Sequence, residues 1–359
     1  MSKVVVRNAT IDSLAEVQEA IFKEFEIDLA NKSVLLKPNF GAAVGPEKSA
    51  LTDPRVVKSI LDECLKQTRD VIIGDNPGNL DSGAMNSVKK SGILDLAGDY
   101  YYNISQEGIF LDIGSKIIPE VFVSKKLTEV DYLINIPKMK THILCGLSCC
   151  IKNLFGYVVG AMKSKYHLES KSLKRLTQLW IDLYKFRMPD LHIVDAIIAM
   201  EGGGPTHGDP RPVGKIVAGT NGMEVDVVMT KMMGWDPLKI KTLEMAHQQG
   251  LGEIDPQKID IRGDFEILPE FKKPPTFVPT NPEINPYEEI IKILPILDED
   301  KCVTCWLCGE ESCPAKCIAM DGAYPVIDKE KCISCYCCVE LCPEGAFSVE
   351  YDKELFELV

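Results

Sequence analysis

Cys332-Ile333-Ser334-Cys335-Tyr336-Cys337-Cys338-Val339-Glu340-Leu341-Cys342-Pro343 decides the fold of the last part of this chain. Its form is C-x2-C-x2-C-x3-C-P. Three cysteines at that spacing fit one tight loop, where their thiolates can grip three corners of a single cube. The fourth, followed by proline, starts the next segment and points to a neighbouring site. The pattern occurs once more, upstream, as Cys302-Val303-Thr304-Cys305-Trp306-Leu307-Cys308-Gly309-Glu310-Glu311-Ser312-Cys313-Pro314, with four residues instead of three before its last cysteine. Zinc is the competing reading of paired C-x2-C motifs. Two complete four-cysteine runs with trailing prolines favour iron and sulfide, for which soft thiolates are the selected ligands.

Over roughly residues 298–351 the stretch resembles the bacterial-type two-cluster ferredoxins, whose fourth cysteine ligates the other cluster. The resemblance implies two 4Fe–4S clusters, one on Cys302, Cys305, Cys308 and Cys342, the other on Cys332, Cys335, Cys338 and Cys313. Cys317 stands close enough to Cys313 to compete with it, and Cys337 reads as a spare thiol. Val303, Trp306, Ile318, Ile333, Tyr336 and Phe347 would shield the clusters from water, which tunes their potential. A chain built this way moves electrons.

Composition agrees. Ten of the 14 cysteines lie between Cys302 and Cys342, and only Cys64, Cys145, Cys149 and Cys150 lie outside. In a chain with no signal-peptide layout, such clustering points to metal and not to disulfides, and the expected compartment is the cytoplasm, with an oxygen-poor setting suited to the clusters. No apolar run approaches the length of a membrane span. Of the formal net charge of −13, residues 298–359 carry 14 acidic and 5 basic side chains, a net of −9, which leaves −4 for the rest. That balance does not suit a nucleic-acid footprint and suits docking on a basic face of a redox partner protein, the alternative being a solvated acidic surface.

The first two-thirds alternate short β-branched runs (Val4–Arg7, Val34–Lys37, Val71–Gly74, Val121–Ser124, Tyr132–Ile136, Leu191–Ile198, Lys215–Ala218) with amphipathic stretches (Ser13–Phe25, Asp53–Lys66, Ser172–Phe186, Glu224–Met233). The alternation predicts an α/β fold, a mostly parallel sheet with helices on both faces, over residues 1–268. Residues 269–297 hold seven prolines and read as an extended connector to a small α+β ferredoxin-like domain at 298–359.

Loops after the predicted strands carry the polar residues. Lys37-Pro38-Asn39, Gly74-Asp75-Asn76-Pro77-Gly78 and Asn135-Ile136-Pro137-Lys138-Met139-Lys140-Thr141-His142 fall where open α/β sheets bind ligands. Lys152, Lys163, Lys165 and His167 extend a basic neighbourhood that attracts phosphate or carboxylate, unless these are solvated lysines or a docking face for the acidic module. Asp195 and the loop Met200-Glu201-Gly202-Gly203-Gly204-Pro205-Thr206-His207-Gly208 add candidate acid/base groups. No dinucleotide or nucleoside-triphosphate loop motif is present.

These segments, together with Lys152-Asn153-Leu154-Phe155-Gly156, Asp226, Met233-Gly234 and Gly250-Leu251-Gly252, resemble the signature segments of the domain of unknown function 362 family. Its members often carry a C-terminal two-cluster ferredoxin module, while the resemblance names no reaction. Cys145, Cys149 and Cys150 depart from the small or hydroxyl residues expected there. A helix would set Cys145 and Cys149 on one face, as a thiol pair or metal site, and the alternative is a set of buried small hydrophobes.

Two functions compete. In the first, an oxidoreductase passes electrons through both clusters to an anionic small molecule in the α/β domain, with Lys37, Lys138, Lys140 and Lys152 holding the anion and His142, His167, Glu201 or His207 supplying protons. In the second, the chain is a non-catalytic electron carrier or docking subunit. A structural or redox-sensing role for the clusters is a third reading.

Overall fold

A computed structural model describes residues 2–41, 44–76, 81–276 and 293–349. Pro77 and Gly78 of the second loop, most of the proline-rich connector (277–292) and the last ten residues lie outside the described part.

Eleven strands belong to the α/β domain among the described residues: β1 (Lys3–Asn8), β2 (Val34–Pro38), β3 (Val71–Ile73), β4 (Gly108–Leu111), β5 (Val121–Ser124), β6 (Tyr132–Ile136), β7 (Lys138–His142), β8 (Gly146–Ser148), β9 (Leu191–Glu201), β10 (Asp209–Gly219) and β11 (Asp260–Gly263). Nine of them form one sheet in the order β11-β1-β10-β9-β6-β2-β3, with β7 added against β9 and β8 against β7. The pairings β2–β3, β2–β6, β6–β9, β7–β9 and β1–β11 are parallel, so the sheet is mostly parallel. β5 leaves the main sheet and pairs with β4 in a separate hairpin.

Alternating side chains enter two cores. Leu35 of β2 and Val194 of β9 face one, with helices α5 (Cys150–Asn153), α7 (Leu173–Phe186), α8 (Gly222–Met232) and α9 (Lys241–Gln248) above it. Val34, Leu36 and Ile193 face the other, under α1 (Leu14–Glu24), α2 (Pro54–Leu65) and α4 (Ile93–Ala97). α3 (Asp81–Ser91) precedes α4, and α6 (Met162–Ser170) follows α5. Period-2 alternation with both faces covered is what a buried α/β sheet requires. Pro54 opens α2 and the Asp53 carboxylate accepts from the Arg55 amide, a capped helix start.

Two expectations are corrected. Lys138–His142 is a strand, not a loop, because β9 continues far enough to pair with it. Cys145 and Cys149 do not share a helix: β8 lies between them, and Cys149 only precedes α5.

The cysteine module adds β12 (Ile296–Leu297), β13 (Ile318–Asp321), β14 (Tyr324–Ile327), α10 (Cys337–Leu341) and β15 (Phe347–Ser348). β12 pairs with β15, so the segment before the first motif closes onto the end of the second. The module does not stand apart. Ile143, just after β7, is buried in the module's own core with Ile318, Tyr336 and Phe347. No helix among the described residues is long and apolar enough to cross a membrane.

Candidate functional site

The two cysteine motifs fold as a repeat. Thr304 and Trp306 take left-handed backbone angles (φ 53° and 67°), as do Ser334 and Tyr336 (φ 50° and 60°) at the equivalent positions. Such turns curl the backbone so that three successive cysteines face inward. After each fourth cysteine the repeat persists: Lys316 and Gly345 are both left-handed (φ 51° and 63°). The next amide then donates back to sulfur, Cys317 N–H to Cys313 Sγ and Ala346 N–H to Cys342 Sγ, both at 3.3 Å.

That equivalence bears on the competition between two thiols. Cys317 occupies the place of Ala346, a residue that supplies an amide and not a ligand, whereas Cys313 matches Cys342. The extra residue between Cys308 and Cys313 is absorbed by a π-helical turn over Cys308–Ser312, where the second motif has the α-helix α10.

A cavity is lined by Cys302, Cys305, Cys308 and Cys342, under Trp306 and Phe347. Its donor set suits a cubane cluster. Cys313, Cys332 and Cys338 gather in the module's core, all three buried, while Cys305 is exposed. The second set therefore lies deeper than the first. Val303 is 58 % exposed and Met320 44 % at the rim of the first cavity.

A second cavity opens where the α/β domain meets the module. Asn39, Asp75 and Asn76 follow β2 and β3 at their carboxyl ends, and Lys140 and His142 come from β7. Lys152 and Asn153 of α5 and Lys163 and His167 of α6 form a second wall. Pro205 and Thr206 of the glycine-rich loop form the rim. That loop lies close because Gly204 has no side chain: a Cβ there would sit 2.3 Å from the Thr141 carbonyl. The roof is α10 itself, through Cys337, Glu340 and Leu341.

The predicted residues divide. Lys37 and Lys138 do not line this cavity. Each is buried in an ion pair of 2.8 Å, Lys37 with Asp75 and Lys138 with Asp195, and both hold strands together. Glu201 is turned away, accepting from the Lys272 amide at 3.1 Å, with Arg211 and Lys272 as ion partners. His207 is also outside the wall, its Nε2 2.8 Å from the Cys342 carbonyl, where it fastens the glycine-rich loop to the module. Lys140 and His142 are in the wall. Lys140 Nζ donates to the Ala50 carbonyl at 2.7 Å and to Asn39 Oδ1 at 3.2 Å. Burial, with Lys152 adding repulsion, pulls its ammonium down to about 7. His142 Nδ1 accepts from the Leu144 amide at 3.1 Å, so its proton resides on Nε2, 3.4 Å from Glu340 Oε1. Burial holds that ring well below the usual histidine range, hence neutral.

An asparagine chain backs the wall: Asn39 Nδ2 donates to Asn153 Oδ1 at 2.9 Å, and Asn153 Nδ2 to Asn135 Oδ1 at 2.8 Å. Glu340 was not foreseen, and nothing in its local sequence marks it, since its role follows from where α10 docks. Cys149, Cys150 and Asp226 lie within 4.8 Å of one another and are all buried. The Asp226 carboxylate already accepts from the Cys150 and Ile151 amides at 2.7 and 3.0 Å, capping α5, and burial pushes the Cys149 thiol up to about 11. The buried-thiol reading accounts for these residues.

Residues 34–231 match the family described as a domain of unknown function (DUF362), and residues 325–348 match the 4Fe–4S binding domain. A curated relative, the thylakoid-associated protein sll1697 of Synechocystis sp., is 34% identical over 221 residues, 61% of this chain and 68% of its own. Among solved structures, the lactate racemase apoprotein from Thermoanaerobacterium thermosaccharolyticum aligns at TM-score 0.40 and 10% identity over 59% of this chain and 53% of its own. A Thermotoga maritima protein aligns at 0.39 and 12% over 67% and 59%. This chain thus spans little more than half the length of either structure. The chain belongs to the DUF362 family and, through its 4Fe–4S binding domain, is an iron–sulfur electron-transfer protein.

Proposed function

We propose that the protein is an oxidoreductase that holds two 4Fe–4S clusters, on Cys302, Cys305, Cys308 and Cys342 and on Cys332, Cys335, Cys338 and Cys313, and reduces a small anionic substrate in the cavity between its domains. One observation carries this reading: α10, which bears Cys338 and leads to Cys342, is also the roof of a cavity walled by lysines. Bound clusters supply single electrons. The chain's own residues supply the rest. Lys152 and Lys163 attract and orient the anion. Lys140, whose ammonium titrates at about 7, can give one proton to the reduced substrate, any second proton coming from water. His142 Nε2 faces Glu340 Oε1 at 3.4 Å, so this histidine packs against the roof.

The test is reoxidation. Anaerobic, dithionite-reduced protein is mixed with 2-oxo acids, enoates and acyl phosphates, and the reduced-cluster EPR signal is followed. Loss of signal with at least one of these anions, abolished in Lys140→Met, supports the oxidoreductase. Reoxidation by electron-carrier proteins alone overturns it in favour of the carrier reading.

That second reading draws on the exposed Val303 and Met320 beside Cys305, an apolar spot in an acidic module that suits a basic-faced redox partner protein. The same spot serves as the electron entrance in the first reading.

A further inference from the structure

The buried and half-buried lysines around this cavity fall into two kinds. Lys37 and Lys138 each have a carboxylate at 2.8 Å. Lys140, Lys152 and Lys163 have none within ion-pair distance among the described residues. Lys140 bonds to a carbonyl and an amide oxygen, and Lys163 Nζ bonds to the Asn76 carbonyl. Lys152 Nζ lies over ring faces, 4.8 Å from the Trp180 centroid and 5.3 Å from that of Phe155. All three line the same cavity. The acidic groups there do not balance them, because Asp75 is neutralised by Lys37 and Glu340 is the remaining carboxylate of the wall.

Unbalanced charge in a desolvated wall is costly unless a ligand completes it. Two unmatched cations beyond Glu340 call for more than one negative charge. Asn39, Ser148, Ser164 and Thr206 add hydrogen-bonding groups for oxygen. We propose that this cavity binds a small oxyanion carrying two or more negative charges, a phosphate ester or a polycarboxylate, on Lys140, Lys152 and Lys163. The inference rests on reading the cavity as the substrate site. The groups facing these lysines agree with it. Lys140 faces Lys152, Lys138, Glu340 and Asp75; Lys163 faces Asp75, Lys37 and Lys152. Burial pulls both down to about 7, so an entering anion restores protons that the empty cavity has partly lost.

The experiment is calorimetric titration of the oxidised, cluster-loaded full chain with pyrophosphate, citrate and acetate under anaerobic conditions. Pyrophosphate or citrate binds at least about tenfold more tightly than acetate, and the tighter of the two names the source. Lys140→Met and Lys163→Met each weaken binding about tenfold or more, the scale of one charge-assisted hydrogen bond, while Lys163→Arg retains it. Lys125→Met, at a surface pair with Glu129, changes nothing. Iron content and circular dichroism of each variant verify folding. Equal binding of acetate and citrate, no binding of either multivalent anion, or full affinity in folded methionine variants overturns the inference. No electrons move in this titration. Binding without reoxidation therefore sinks the oxidoreductase alone, and reoxidation by a monoanion with no multivalent binding sinks this inference alone.

Discussion

His142 Nε2 lies 3.4 Å from Glu340 Oε1 and joins β7 of the α/β domain to α10 of the cysteine module. The ring is neutral and its other nitrogen is occupied by the Leu144 amide, so the contact is a polar packing contact between a neutral imidazole and a buried carboxylate oxygen that has no hydrogen-bond partner, and not an ion pair. His142→Ala and Glu340→Ala should each loosen α10. The double variant should cost less than the two singles summed, by about 0.5 kcal/mol or more, the scale for residues in contact. Thermal unfolding of the anaerobic, cluster-loaded variants reads this, and strict additivity counts against the contact.

The repeat within the module matches Cys313 with Cys342 and Cys317 with Ala346. Replacing Cys313 by Ser should remove about half of the iron and sulfide, from about eight of each per chain to about four. Cys317→Ser and Cys337→Ser should keep the full content. A normal content in Cys313→Ser together with loss in Cys317→Ser would reverse the assignment.

Gly156 is packed against the buried Lys37–Asp75 pair. A Cβ there would lie 2.2 Å from Asp75 Oδ1 and 2.6 Å from Lys37 Nζ. Gly156→Ala should force the pair apart at a cost of roughly 3–5 kcal/mol, the scale for breaking a buried ion pair. A melting temperature equal to that of the parent protein would refute it.

Stability should depend on pH through the cavity lysines. Burial lowers Lys140 and Lys163 from about 10.5 to about 7 in the folded chain. Between those values the unfolded chain binds more protons, so stability rises with pH across that window. The opposite edge belongs to His167, which burial holds at about 3 against 6.5 when unfolded. Its contribution is present above pH 6.5 and is lost as pH falls toward 3. Denaturant titrations at several pH values read both slopes. Lys163→Met should flatten the alkaline one, and an unchanged slope would argue that Lys163 is not buried as a cation.

The sequence by itself determined what depends on near neighbours. Cysteine spacing specified the module, because a tight loop and its thiolates form a local object. Alternation of β-branched and amphipathic runs specified the α/β class, with Tyr132–Ile136 as one of its strands. It could not say which lysines are matched by carboxylates. Lys37, Lys138, Lys140 and Lys152 look alike along the chain, yet two face Asp75 and Asp195 inside the sheet and two face the cavity. Nor could it place Glu340 over His142 or withdraw Glu201 and His207 from the wall. Those outcomes were decided by tertiary structure, since the field around a charged group comes from chain segments remote in sequence, and only packing brings them within the few ångströms over which a charge is neutralised.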